Sequence, residues 1–237
     1  MDRRLTPSEW TNSVRLVPDA TIHIFRVDEK TVVKVGDPNR LAEAEALKFV
    51  RANTSLPVPE LYGAYVDETL DRGMIVMEYI EGEVLRDVIE DMDAERRQKI
   101  VSQLQTYISS LLCWSGAFGP YKTEEEFNNE LIRAMEIQEE NSWIVHLSKL
   151  VRAMPSHDIV LTHADLSPRN IIVNGDQVVG IIDWEMSGFY PEYWEYAKAM
   201  YHPNWQSRWI EDGLVDTILK PYYLEHAVML HMQEIVW

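Results

Sequence analysis

"LTHADLSPRNIIVNGDQVVGIIDWE", residues 161–185, sets His163, Asp165, Asn170 and Asp183 into a largely apolar stretch. Two apolar runs flank Asn174-Gly175, the strongest short-range hairpin signal, so Asn170 and Asp183 stand near opposite ends of a β-hairpin and therefore close together. An asparagine oxygen and a carboxylate converging on one point are hard ligands that suit Mg²⁺, which takes few protein ligands and fills its shell with phosphate oxygens and water. Asp165 lies five residues before Asn170 in an irregular loop. There it can orient a hydroxyl and accept its proton, with His163 beside it shaping the loop. Chance assembles this spacing of His, Asp, Asn and Asp about once in a thousand chains of such composition.

Composition narrows the field around this stretch. A chain of 237 residues with 46% hydrophobic content can bury one large core or two lobes. Cys113 is the only cysteine, which excludes an intramolecular disulfide and any CxxC knuckle, and fits a reducing compartment. The opening "MDRRLTPSEW" has charge without an apolar core behind it, and no run approaches the roughly 18 apolar residues of a membrane span. A soluble cytoplasmic protein is expected. A net charge of -17 repels nucleic acid and favours cationic small molecules as partners.

Segment type changes near residue 80. "SVRLV", "TIHIFRV" and "TVVKVG" read as three antiparallel strands, followed by a helix over "NRLAEAEALKFVRANT" that Pro57 and Pro59 forbid from continuing. "LYGAYVD" and "GMIVMEY" complete a small sheet. Residues 93–114 then place Ile100, Leu104, Tyr107, Ile108 and Leu111 on one helical face, with Asp91 or Asp93 able to cap the start. Helix is expected to about residue 155 and again over 192–237. Strands first and helices afterwards predict an α+β protein of two lobes, a small antiparallel-sheet lobe over 1–79 and a larger, mostly helical lobe over 80–237.

"HADLSPRN" followed by "IIDWE" resembles the aminoglycoside phosphotransferase family, whose fold is similar to that of protein kinases. The resemblance implies transfer of the terminal phosphate of ATP, or of GTP, to a hydroxyl of a small molecule, with Mg²⁺. It assigns Asp165 and His163 to the catalytic loop and Asn170 and Asp183 to the metal. Lys34 in "TVVKVG" fits the lysine that grips the nucleotide; Glu43 and Glu45 compete to be its carboxylate partner, and Glu45 is assigned on its distance to "LPVP". "MEYIEG" fits the hinge, with Met77 at its inner edge and the backbone of Glu78 and Ile80 offering hydrogen bonds to a purine. Glu195 in "PEYWEYAKA" fits the acidic anchor of the catalytic loop.

The chain also departs from the protein-kinase pattern. Residues 1–35 hold no glycine and hence no GxGxxG lid, which leaves Thr21 as a candidate phosphate contact. The segment after Asp183 is too short for an activation loop, so a protein substrate is not expected. Glu124, Glu125, Glu126 and Glu130 precede the catalytic loop in the region that walls the acceptor site in the family. Together with Glu185 and Glu192 they predict a negative field steering a cationic hydroxylated amine. The alternatives are a choline- or sugar-type kinase and a catalytically idle relative that binds a nucleotide or metabolite.

Overall fold

The computed structural model describes residues 3–6, 8–9, 13–16, 23–114, 121–138 and 141–236; Thr21 and Trp237 lie outside the described residues. The chain forms two compact units, Met1–Val88 with Pro168–Met186, and Ile89–Ser167 with Ser187–Trp237. The stretch quoted at the outset is thus divided, its first residues belonging to the second unit and its hairpin to the first.

In the first unit, β1 (Val14–Arg15), β2 (His23–Arg26), β3 (Thr31–Gly36), β4 (Leu61–Asp67) and β5 (Arg72–Glu78) form one antiparallel sheet in the order β1-β2-β3-β5-β4. β3 and β5 are central, paired from Thr31↔Glu78 to Gly36↔Gly73. Alternation sends Val33, Val35, Met74 and Val76 to one face, where they pack with Leu5 and Tyr65. Each such apolar side chain, once fully buried, contributes about 1.5–3 kcal/mol. Lys34 and Ile75, like Val32 and Met77, face the other way.

Helix α1 (Ala42–Asn53) belongs to the same unit and buries Glu43, Ala44, Leu47 and Val50. A 3₁₀ turn, Pro38–Leu41, leads into it, with the Asp37 side chain accepting from the Asn39 N–H. A smaller sheet joins Glu83–Val84 to the hairpin Ile171–Asn174 and Gln177–Ile181. The hairpin expected from the sequence is present. Its apex falls one residue later than Asn174-Gly175, at Gly175-Asp176, because Asn174 pairs with Gln177 and leaves Gly175 at the first turn position with φ +60°.

The second unit is mostly helical. Its helix Ala94–Leu112 starts on Asp93, whose carboxylate accepts from the Arg96 N–H at 2.8 Å, and buries Ile100, Val101, Leu104, Ile108 and Leu111. Glu124–Gln138 and Ser142–Arg152 follow, the latter capped by Asn141. The helix expected over 192–237 comes as four pieces, Trp194–Ala199, Arg208–Glu211, Leu214–Ile218 and Tyr223–Val236. Pro203, Gly213 at φ +65° and Pro221 interrupt them. Ile159–Thr162 and Gly188–Pro191 form a two-stranded ladder that the sequence reading missed. A four-residue apolar run has too little period to separate strand from helix. No helix among the described residues is long and apolar enough to cross a membrane.

Candidate active site

The first unit gathers charge around Lys34. Its Nζ lies 2.7 Å from Glu43 Oε2, 2.6 Å from Asp183 Oδ1 and 3.4 Å from Glu185 Oε2, while the residue is only 5% exposed. Burial depresses an ammonium, yet the Glu43 and Asp183 carboxylates more than offset it and hold Lys34 protonated well above its ordinary range. Burial likewise pushes the Glu43 carboxyl up, with Lys34 pulling against it.

The partner of Lys34 is therefore Glu43, which corrects the assignment to Glu45. The reason is helical phase. At 100° per residue Glu43 lies within about 40° of Leu47 and Val50, whereas Glu45 lies about 200° from Leu47. Glu45 accordingly faces solvent, its side chain 75% exposed and paired with Lys48 at 2.7 Å. Glu43 also accepts from the backbone N–H of Trp184 through Oε1 at 3.3 Å. One carboxylate thus ties α1 to β3 and to the IIDWE segment.

Asp183 sits at φ +67°, a left-handed conformation uncommon for a residue with a Cβ. Buried Trp184 helps to hold it there, donating its indole N–H to the Ile181 carbonyl at 2.9 Å. At the base of the hairpin the Ile182 N–H donates to the Asn170 carbonyl at 2.9 Å, so Asn170 and Asp183 are brought together as expected. Carboxylate oxygens of Glu43, Asp183 and Glu185 lie within 4.8 Å of one another. The Lys34 ammonium lies within 3.4 Å of an oxygen of each; the carboxylate of Asp183 and the amide oxygen of Asn170 are the hard donor type that Mg²⁺ takes.

The expected hinge residues end β5. Met77 is buried and pairs with Val32 and Leu61. The Glu78 N–H donates to the Glu60 carbonyl at 2.8 Å. Ile80 rests its side chain on Gly180 of the hairpin.

The second unit carries Asp165 and His163. His163 is fully buried, and its Nδ1 accepts from the Asp165 N–H at 3.2 Å. Ala164 between them adopts φ +61°. Glu195 holds this bend, accepting from the His163 N–H at 2.5 Å and the Ala164 N–H at 3.1 Å. Burial raises the Glu195 carboxyl above its usual range, and the backbone donors and His163 pull it back. A carboxylate inside the protein thus fixes the backbone from which Asp165 projects.

The acidic run before the loop is only partly a surface. Glu124 is buried, accepting from the His157 N–H at 2.6 Å and facing its Nδ1 at 3.1 Å, with Glu225 at 3.5 Å from Nε2. Glu192 accepts from the Tyr222 hydroxyl at 2.5 Å. Glu125, Glu126 and Glu130 remain exposed, Glu126 accepting from the Lys122 N–H at 2.7 Å and Glu130 lying 3.7 Å from Arg133. Glu185 is held in the first unit by Arg40, Nη1 to Oε2 at 2.5 Å, and by Lys34. Sequence reasoning had no signal for Arg40.

The profile of the phosphotransferase enzyme family, APH, matches residues 7–227. No curated protein matches the chain in sequence. Among solved structures, an aminoglycoside-3'-phosphotransferase of type VIII superposes with a TM-score of 0.68 at 18% identity, covering 94% of this chain and 93% of that one. A thermostable mutant of aminoglycoside phosphotransferase APH(4)-Ia, in ternary complex with ADP and hygromycin B, gives 0.65 at 16% identity over 96% and 88%. The streptomycin-ATP-APH(2")-IIa ternary complex gives 0.64 at 16% identity over 96% and 82%. Likeness at these identities shows a shared fold.

Proposed function

Because the chain belongs to the phosphotransferase enzyme family, we propose that it moves the terminal phosphate of ATP to a hydroxyl of a small, cationic hydroxylated molecule. The observation that carries this reading is the cluster in which Lys34 meets Glu43 and Asp183, with Asp183 at a positive φ beside Asn170. Such strain is retained where the surrounding structure over-determines it, and it concentrates at functional sites.

In this reading the first unit holds the nucleotide. The Glu78 carbonyl and the Ile80 backbone meet the purine, and Lys34, oriented by Glu43, meets the phosphates. Asn170 and Asp183 would hold Mg²⁺, whose charge offsets that of the phosphate oxygens. Asp165 in the second unit accepts the proton of the acceptor hydroxyl. The acceptor oxygen bonds to the terminal phosphorus, the bond from that phosphorus to the bridging oxygen breaks, and the electron pair leaves with the nucleoside diphosphate. His163 and Glu195 keep Asp165 in place through the backbone. The overall negative charge and exposed Glu125, Glu126 and Glu130 favour an aminated acceptor. Streptomycin and hygromycin B accompany ATP and ADP, respectively, in two of the similar structures.

The test is phosphate transfer from ATP, with GTP alongside, to a panel of hydroxylated amines and neutral polyols, with Asp165→Ala as control. Asp165→Ala is expected to lower kcat by about 10²-fold or more with nucleotide affinity nearly unchanged. Transfer to none of the panel, or equal transfer by parent and Asp165→Ala, would overturn the reading; transfer to polyols alone would overturn the cationic acceptor.

A further inference from the structure

Arg40 reaches the Asp183 neighbourhood by a route the chain has prepared. β3 and β5 pair Gly36 with Gly73 at the end of the sheet. A Cβ on Gly73 would stand 3.0 Å from the Asp37 carbonyl oxygen and 3.1 Å from the Pro38 Cα, and one on Gly36 would stand 3.3 Å from the Arg40 Cδ. The two glycines therefore let the 3₁₀ turn lie directly on the strands and let the Arg40 side chain cross Gly36. The guanidinium ends 2.5 Å from Glu185, whose carboxylate also lies 3.4 Å from Lys34.

Resting on the phosphotransferase reading, we propose that Arg40 is a second phosphate-contacting residue, doing part of the work that a glycine-rich lid would otherwise do. Three observations converge on it. No glycine occurs before Gly36, so the first strands carry no GxGxxG turn of backbone N–H groups. Lys34 already donates to two carboxylates, Glu43 and Asp183. Arg40 has one partner among the described residues, Glu185 through Nη1, and its side chain is 38% exposed, which leaves Nε and Nη2 for an incoming anion. A planar fork of N–H donors matches two oxygens of a phosphate, which a single ammonium cannot do. Charge points the same way. Lys34 and Arg40 face Glu43, Asp183 and Glu185, so a nucleotide phosphate entering here needs every cation the cluster has.

The experiment compares nucleotide binding to the full chain by calorimetry, using ATP with Mg²⁺, ADP with Mg²⁺ and adenosine as probes, in the parent, Arg40→Ala, Arg40→Gln and Arg40→Lys. Loss of a charge-assisted contact should weaken ATP about 10-fold or more in Arg40→Ala and Arg40→Gln. Adenosine affinity should stay within a factor of two or so, and Arg40→Lys should recover part of the loss. Parallel loss of ATP and adenosine, or no loss of ATP in any variant, would overturn the proposal while leaving the phosphotransferase reading intact. A parent that binds none of the probes would overturn both. Should Arg40→Ala unfold, Arg40→Gln keeps the stem that packs over Gly36, and its ATP-to-adenosine ratio decides.

Discussion

Glu43 and Glu45 stand two positions apart on one helix and have opposite environments. Glu43 is 1% exposed and holds both Lys34 and the Trp184 backbone, while Glu45 shares an exposed pair with Lys48. Removing one member of a buried ion pair leaves a charge without its counterion, which costs on the order of 3 kcal/mol, whereas exposed pairs contribute about 0–1 kcal/mol. Glu43→Ala is therefore expected to lower the urea midpoint clearly and to cut kcat/KM for ATP, and Glu45→Ala to leave both near the parent values. Equal effects of the two substitutions on kcat/KM would contradict the role given to Glu43. The signal that separates them was legible in the sequence, since Glu43 shares the phase of Leu47 and Val50. Comparing distances along the chain to "LPVP" discards phase.

At the scale of elements, the hairpin shows how far local chemistry reaches. Apolar runs around a turn signal located it, and the Asn170–Ile182 hydrogen bond at its base brings the candidate ligands together. The apex moved because pairing jumps from Ile172↔Gly180 to Val173↔Val178, a bulge that leaves Val179 without a partner across the ladder. Gly175 then takes the left-handed position, where an added Cβ would meet nothing within 4 Å. Gly175→Ala should thus be penalised by backbone conformation alone, by about 1–2 kcal/mol, with an unchanged urea m-value. No loss of stability would mean the turn readily adopts another type. The missed ladder of Ile159–Thr162 with Gly188–Pro191 has the contrary lesson. Its two strands lie far apart in sequence and neither has enough period of its own.

For the whole molecule, pH is the broadest test. Burial, followed by the charges of Glu124 and Glu225, drives the Tyr193 phenol far above its ordinary value of about 10. Lys34 is also raised, its carboxylate partners outweighing burial. A group with a raised folded-state pKa binds its proton more tightly in the native protein than in the unfolded chain. Its stabilisation is complete below the unfolded value and is lost as pH rises toward the folded one. Stability should hold to about pH 10 and fall beyond it, with tyrosinate absorbance of the buried tyrosines appearing together with loss of helical circular dichroism. Full tyrosine titration near pH 10 with the fold intact would refute this. Growing negative charge on a chain already at -17 adds self-repulsion in the same direction.

By itself the sequence determined most elements of the first unit and the kind of chemistry that each could carry. Alternation in "TVVKVG" sets Lys34 on the face opposite Val33 and Val35, an Asp at 91 or 93 could cap the helix that follows, and "HADLSPRN" with "IIDWE" marked the candidate base and metal ligands. Those features depend on backbone period and on neighbours a few residues away, which a sequence displays directly. Only the tertiary structure decided which carboxylates Lys34 would meet, that Glu124 would turn inward to His157, and that Arg40 would cross a glycine pair to Glu185, 145 residues away. A charged side chain has no period that names its partner. Its pairing is set by burial, which makes an unpaired charge costly, and by which distant backbone comes within about 3 Å.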